Sequence, residues 1–455
     1  MAMTTPPLSQ LLADAPETFS LSELGGESWS ATQCVAHLAE VVESAAALGL
    51  AQRHRIGLLA PDTALTPLVT LGLMERARVV PLNPALTPSE LDTILKDAAL
   101  DAVIVADGAP TGHRFTLPCL ALRGVRLTGP ALPPPPQDRA DAAPGLLLLT
   151  SGSTGAPKRV YLTFDQLLHS ARTIAATLGL SPQDRTLHAL PMFHIGAVVD
   201  LFLAPLVSGG AVVVSADRSA AGLARGVREG GATWMQTVPT MLAQCLTHWS
   251  AEEAATLGAG LRCVRSVSSD LAPAMQAAAE AHLGGTPVIQ MYGLTETAGQ
   301  VASNPLPPAA RKPGSVGQVN GAEVTITDAN GSPLPAGAEG EICVRGPTVT
   351  SGYEGVPREA HFFGAWLRTG DMGRLDADGF LTLTGRKKEM INRGGEKIAP
   401  VEVERAVLQI EGVAEAAAFA LPHPSLGEQV GLAVVLRPGS GLDEAALIDA
   451  VKPHL

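Results

Sequence analysis

The sequence predicts an α/β protein. A large N-terminal domain of βα-built sheets leads into a β-rich subdomain, and a small α/β domain, C-terminally incomplete, closes the chain. Three observations carry this. Up to about residue 300, apolar runs of four to eight residues alternate with helical patterns, the mark of βα units and a largely parallel sheet. After about Gln300 the pattern changes to alternating strands punctuated by Gly and Pro. From residue 400 a helix, two strands and a second helix form a smaller unit, and the chain stops at Leu455 just after that helix.

Each element has a local cause. Ser30 with Gln33, Thr87 with Glu90 and Thr163 with Gln166 have the spacing of a capping box, and Pro88 suits the first helical turn. Between such helices lie the apolar runs 55–60, 101–106, 145–150, 211–215, 232–238, 262–268 and 287–292, each read as a strand. Residues 133–136 are four consecutive prolines within a stiff linker over 132–144. Residues 323–327, 340–345 and 379–384 alternate as strands. In the last unit, helices are expected near 400–410 and 442–451 and strands near 413–421 and 431–437.

Composition narrows the function classes. Of 455 residues, 46% are hydrophobic and 17% charged, an ordinary balance for a chain with a sizeable core. Lys and Arg number 32 against 44 Asp and Glu, a formal charge of −12 with no long basic run. A nucleic-acid surface needs a Lys/Arg stripe to replace phosphate counterions, so nucleic acid is excluded as a partner. The most apolar window, 195–214, contains Asp200, Pro205 and the pair Gly209-Gly210, which fits a core helix–turn–strand and no membrane span. Five scattered cysteines without a CxxC spacing read as small core residues in a reducing compartment. The N-terminus lacks a basic segment ahead of an apolar one, so no secretory signal is read and a soluble cytoplasmic protein is expected.

Chemistry concentrates in a few segments. Residues 150–158 read TSGSTGAPK after the apolar run 146–149. Glycines Gly152 and Gly155 let successive backbone N–H groups cup phosphate oxygens. Thr150, Ser151, Ser153 and Thr154 add hydroxyls and Lys158 a mobile positive charge. The spacing is not that of a Walker A loop. By itself it is equally a flexible turn, as Glu296 is a solvated loop carboxylate and residues 368–371 an Asx-capped turn.

Four segments in order, TSGSTGAPK at 150–158, YGLTE at 292–296, RTGD at 368–371 and GRKKEMINRGGEKIAPVEVE at 385–404, make the chain resemble the adenylate-forming superfamily. That superfamily includes acyl-CoA synthetases, firefly luciferase and the adenylation domains of nonribosomal peptide synthetases, and the resemblance spans nearly the whole chain. It implies a two-step reaction. A carboxylic acid attacks the α-phosphate of ATP to give acyl-AMP and pyrophosphate, and a thiol, usually that of CoA, then captures the acyl group, with Mg²⁺ on the phosphate oxygens.

The resemblance also implies residue roles. The 150–158 loop would hold the β- and γ-phosphates and Tyr292 would stack on adenine. Thr295 would contact the α-phosphate, and Glu296 would ligate Mg²⁺. Asp371 would accept from the ribose hydroxyls and Arg386 would steady phosphate and ribose. Ser269 and Asp270 fall where backbone lines adenine. His194 would sit beside the reacting carboxylate, although a lone His among apolar residues is also a common core histidine. Trp234, Val238 and Thr240 would line the acid pocket or pack in the core as a strand end. Lys388 falls at the hinge of residues 385–388, between a large domain over 1–384 and a small one over 389–455. Gly394 and Gly395 would let pantetheine pass close to backbone.

Two departures stand out. Relatives continue to a lysine in a PxTxxGK-like segment, for which this chain has no counterpart, Lys452 lying in the stretch that precedes it. A fragment or an impaired adenylating activity is therefore expected. Arg159 stands where relatives often carry Gly. Within the superfamily, residues 303–307, 312–317 and 392–404 look most like oxalate–CoA ligases and related medium-chain acyl-CoA synthetases. Two other readings remain open at this point. One is an adenylation domain loading an amino or aryl acid onto a carrier protein, for which Asp200 is the nearby acidic residue, here read as part of a helix. The other is a nucleotide-binding relative without turnover.

Overall fold

The computed structural model describes residues 11–12, 17–109, 113–137, 145–150, 158–437 and 439–452. Among them the chain forms a large N-terminal α/β region with two mixed sheets and a smaller C-terminal α/β domain with a third sheet. All three expected capping boxes are present: Ser30, Thr87 and Thr163 each accept from the backbone of the third residue onward, and that residue's side chain reaches back. Each of the seven apolar runs contains a strand: 145–150 is one over its whole length, five others lose one to three residues where they meet loops, and the last is lengthened to Val288–Leu294.

The parallel strands divide between two sheets, a split that periodicity does not register. Arg55–Leu59, Arg78–Leu82, Ala102–Ala106 and Cys119–Arg123 pair in parallel, and the sheet closes on the antiparallel pair Gly145–Thr150 and Lys158–Thr163. The second sheet runs in parallel through Arg185–His188, Ala211–Val214, Trp234–Thr237, Cys263–Ser266 and Val288–Leu294. It then turns antiparallel through Gly299–Ser303 into the strands of the β-rich part, Glu323–Thr327, Glu339–Arg345, Trp366–Leu375 and Phe380–Arg386. Leu, Val and Ala fill the layers between sheets and helices in one extensive core cluster, with smaller ones on the outer face of the first sheet and in the β-rich part.

Strand order locates a crevice. After Arg185–His188 the chain places Ala211–Val214 on one side of that strand and Trp234–Thr237 on the other. The order therefore reverses at Arg185–His188, and in open α/β sheets ligands bind beyond the carboxyl ends of the strands at such a point.

The window 195–214 is the expected helix–turn–strand. Its middle is a π-helical turn, Val199–Leu203, that carries the buried Asp200. Left-handed Gly209 ends the helix. No helix among the described residues is long and apolar enough to cross a membrane. Cys34, Cys245, Cys263 and Cys343 are buried, as expected of small core residues, but Cys119 is exposed because it begins a strand near the sheet edge.

The small domain pairs Ile391–Arg393, Glu396–Ile398, Val413–His423 and Gly427–Leu436 in one antiparallel sheet. Helices Pro400–Val407 and Glu444–Val451 bury Val403, Ala406, Val407, Leu447 and Val451 against it.

Candidate functional site

The parallel strands of the second sheet end in loops along one edge. Arg185–His188 leads to His194, Ala211–Val214 to Arg218, Trp234–Thr237 to Val238 and Thr240, Cys263–Ser266 to Ser269 and Asp270, and Val288–Leu294 carries Tyr292 and leads to Thr295 and Glu296. His194 thus stands at the reversal point. It stands at the N-terminus of the helix Ile195–Val198 in extended conformation, its ring 4.4 Å from that of Phe193. Burial, and then the positive field of Arg218, hold its imidazole below the ordinary value, while Asp62 works against both.

Trp234 lies at the other end of its strand, opposite Thr186 and Cys263, and is fully buried in the core. The core alternative describes its position. Val238 and Thr240 follow the carboxyl end of that strand, Val238 half-buried and Thr240 exposed.

Tyr292, Asp371 and Arg386 form a connected group. The Tyr292 hydroxyl donates to Asp371 Oδ2 at 2.7 Å, and Arg386 Nε lies 3.0 Å from Asp371 Oδ1. Asp371 and Arg386 face each other as register partners on adjacent strands, so sheet pairing itself sets this contact. Burial pushes the Asp371 carboxyl up, and the Tyr292 hydroxyl and Arg386 pull it back. Tyr292 is driven upward by burial and by the Asp371 charge, so it remains a phenol and a donor.

Glu296 sits in a short 3₁₀ turn, Thr295–Thr297, closed by left-handed Ala298. Its Oε1 accepts from the Tyr353 hydroxyl at 2.7 Å, and its backbone carbonyl accepts from Thr350 N. Lys158 Nζ lies 4.3 Å from the centre of the Tyr353 ring. Burial and the nearby Lys388 lower the Lys158 amine, and Glu296 opposes them. Lys158, Lys388 and Glu296 therefore share one electrostatic neighbourhood. Tyr353, at its centre, escapes sequence reasoning, because nothing along the chain joins it to Glu296.

Thr150 and Lys158 are register partners at the ends of two paired strands. Ser151, Gly152, Ser153, Thr154 and Gly155 lie outside the described residues. Among those described, no group of three His, Cys, Asp or Glu side chains could hold a metal ion. The donor set nevertheless suits Mg²⁺, which keeps several waters and takes one or two carboxylates together with substrate phosphates. Glu296 offers one hard oxygen already oriented by Tyr353 and a second that is unspent.

On the small domain, Gly394 and Gly395 are the two-residue tip of the hairpin joining Ile391–Arg393 to Glu396–Ile398, both at positive φ (62° and 101°). Such a turn needs positive φ at both central positions, which two glycines supply without steric cost. Lys388 is exposed, while its neighbour Lys387 reaches Glu341 Oε2 at 2.7 Å. Asp270 takes a bidentate pair from Arg405 of helix Pro400–Val407, at 3.0 and 2.7 Å, which ties the small domain to the loop expected to line adenine.

Comparison with known proteins agrees with this arrangement. The family "AMP-binding enzyme" matches residues 25–354, and "AMP-binding enzyme C-terminal domain" matches residues 402–455. The chain is 38% identical to the sulfoacetate–CoA ligase of Cupriavidus necator, over 89% of this chain and 82% of that one. It is 33% identical to the oxalate–CoA ligase of Arabidopsis thaliana, over 92% and 87%. Among solved structures, ATP-bound MatB from Rhodopseudomonas palustris superposes with a TM-score of 0.85 at 27% identity, covering 98% of this chain and 92% of that one. The o-succinylbenzoate CoA synthetase of Bacillus subtilis, in complex with ATP and a magnesium ion, does so at 0.84 and 27%, covering 99% and 93%. The chain therefore belongs to the AMP-binding, adenylate-forming superfamily as a relative of the acyl-CoA synthetases, oxalate–CoA ligase among them, and is an ATP-dependent adenylate-forming ligase.

Proposed function

We propose that this protein is an acid–CoA ligase that activates a small carboxylic acid as acyl-AMP, releasing pyrophosphate, and passes the acyl group to the CoA thiol. One observation carries the reading. Tyr353 links Glu296 to Lys158, the Glu296 charge is felt at Asp371 of the Tyr292–Asp371–Arg386 group, and His194 follows the strand at which the order of the same sheet reverses. The names of the relatives favour CoA over a carrier-bound thiol and a short acid of the oxalate or sulfoacetate kind. The cytoplasm, which supplies both ATP and CoA, is the compartment this reading assigns to the protein.

The chemistry follows from charge and alignment, with no covalent protein nucleophile. Lys158 and Arg386 would neutralise phosphate oxygens, Thr295 would hold the α-phosphate, and Asp371 would accept from the ribose hydroxyls. Tyr292 would face adenine alongside Ser269 and Asp270. His194, kept neutral by its surroundings, can donate a hydrogen bond to the acid carboxylate without drawing it into an ion pair. Mg²⁺ bound at Glu296 would supply Lewis-acid charge neutralisation. Residues 385–388 would be the hinge between a large domain over 1–384 and a small one over 389–455. Rotation there would bring Gly394 and Gly395 to the crevice for the thiol step.

The test is acid-dependent ATP–pyrophosphate exchange followed by thioester formation with CoA, using oxalate, sulfoacetate, octanoate and benzoate. Exchange with one acid and a CoA thioester as product are expected. Bound ATP with no exchange for any acid, persisting when the PxTxxGK-like segment of relatives is joined to Leu455, would leave a nucleotide-binding relative, and capture only by a carrier-bound thiol would give an adenylation domain. Lys388→Pro should spare exchange while slowing thioester formation, and equal loss of both steps would remove the hinge assignment.

A further inference from the structure

We propose that Arg218 is a specificity-determining residue of the acid side of this site, where its guanidinium receives the second oxyanion group, carboxylate or sulfonate, of a short dianionic acid. The proposal rests on the ligase reading above and assigns its acid selectivity to one residue.

Arg218 follows the strand Ala211–Val214, immediately beside Arg185–His188, whose loop carries His194. It therefore flanks the reversal-point crevice on one side, with Val238 and Thr240 on the other. Asp62, from the loop after strand Arg55–Leu59 of the first sheet, fixes it there. Asp62 Oδ2 accepts from Arg218 Nη2, and Asp62 Oδ1 accepts from the backbone N–H of Met192 at 3.0 Å, two residues before His194. One carboxylate thus ties the guanidinium to the backbone that presents His194. The positive field of Arg218 at His194 agrees with this placement.

The guanidinium also has capacity left. Asp62 is its one hydrogen-bond partner among the described residues, and its buried Nε has none. Its side chain keeps 35% of its surface accessible. Arg265, another cation beneath this edge, is in the opposite condition. It is fully buried among Asp200, Gln236 and Gln300, so it has no access to an incoming anion. A planar guanidinium can serve two oxyanions through different edges, which a lysine ammonium does less well. An acid with one carboxylate near His194 and a second anionic group turned toward Ala211–Val214 would satisfy the Arg218 donors that Asp62 leaves unused.

Pyrophosphate exchange with malonate and sulfoacetate against propionate and butyrate decides the matter. Arg218→Gln is expected to raise KM for the dianionic acids by about thirtyfold, with kcat and KM for ATP little changed and the monoanionic acids altered less than about threefold. Asp62→Asn keeps the cation and should preserve or sharpen the preference for dianions. Equal losses for both acid classes in Arg218→Gln, or loss of dianion preference in Asp62→Asn, would show that the pair only braces the loop and would overturn the proposal. If no acid supports exchange, the ligase reading fails. Calorimetric titration of malonate into protein saturated with AMP then decides the proposal separately: tighter binding by the wild type than by Arg218→Gln sustains it, and equal binding overturns it.

Discussion

Single side chains at this site act through what their neighbours do to their charge. The Tyr353 hydroxyl holds one Glu296 oxygen while the ring underlies Lys158, so one residue aims both an anion and a cation. Tyr353→Phe keeps the ring and loses the hydroxyl. A hydrogen bond to a charged group contributes about 1.5–3 kcal/mol. The Mg²⁺ concentration giving half-maximal exchange should therefore rise at least about tenfold, with an unchanged circular dichroism spectrum; an unaltered Mg²⁺ titration would release Glu296 from Tyr353. His188 illustrates the cost of burial. Its Nε2 lies 3.1 Å from the Ala197 carbonyl, and burial pushes its pKa from 6.5 down to about 4. An unfolded chain protonates this group near 6.5, whereas the folded chain does so only near 4. Its contribution is complete above about pH 6.5 and is lost as pH falls toward about 4. His188→Gln should flatten the dependence of Tm on pH in that window, and parallel curves would refute the assignment.

Elements set the geometry through close backbone approach and through one cross-domain contact. Gly293 sits at the bulge between Val288–Leu294 and Gly299–Ser303, where an added Cβ would come 2.2 Å from the Gly299 carbonyl oxygen. Gly293→Ala must push these strands apart just before Thr295 and Glu296. Overpacking of this kind costs about 1–3 kcal/mol, so urea unfolding should shift to lower midpoint and exchange activity should fall. The Arg405–Asp270 pair joins helix Pro400–Val407 to the loop after Cys263–Ser266. Both side chains are about a quarter exposed, and such a pair contributes about 1 kcal/mol at most. Arg405→Ala should raise the rate of proteolytic nicking at 386–389 by up to about fivefold, and an unchanged rate would mean that other contacts hold the small domain.

Across the whole molecule, a buried polar network braces the second sheet under the crevice. Arg265 Nη1 lies 3.0 Å from Asp200 Oδ2 and 3.3 Å from Gln236 Oε1, and Gln300 links Arg265 onward to Thr177 and Asn320. The network connects the π-helical turn behind His194, two parallel strands and the strand that follows Glu296. Burial raises the Asp200 carboxyl, and Arg265 counters it. Removing one partner leaves an uncompensated buried charge, at a cost of about 3–5 kcal/mol. Arg265→Met should therefore destabilise the large region strongly in urea unfolding, and adding Asp200→Asn should recover part of the loss. A neutral single variant would mean that Asp200 is already protonated in the fold.

Local elements and the order of the chemical segments are readable in the linear chain. Capping boxes at Ser30, Thr87 and Thr163 act within one helical turn, and the apolar runs declare their strands through residues a few positions apart, so both are legible along the chain. The segments at 150–158, 292–296, 368–371 and 385–404 are legible because each is contiguous along the chain, and it is their joint resemblance to the adenylate-forming superfamily that pointed to nucleotide chemistry. Tertiary packing settles which strands enter which sheet, that Trp234 lies in the core, and that Tyr353 meets Glu296 and Asp62 meets Arg218. Those pairs are separated by 57 and 156 positions. Their meeting depends on strand order and sheet packing, cooperative properties of the whole chain that no local pattern records.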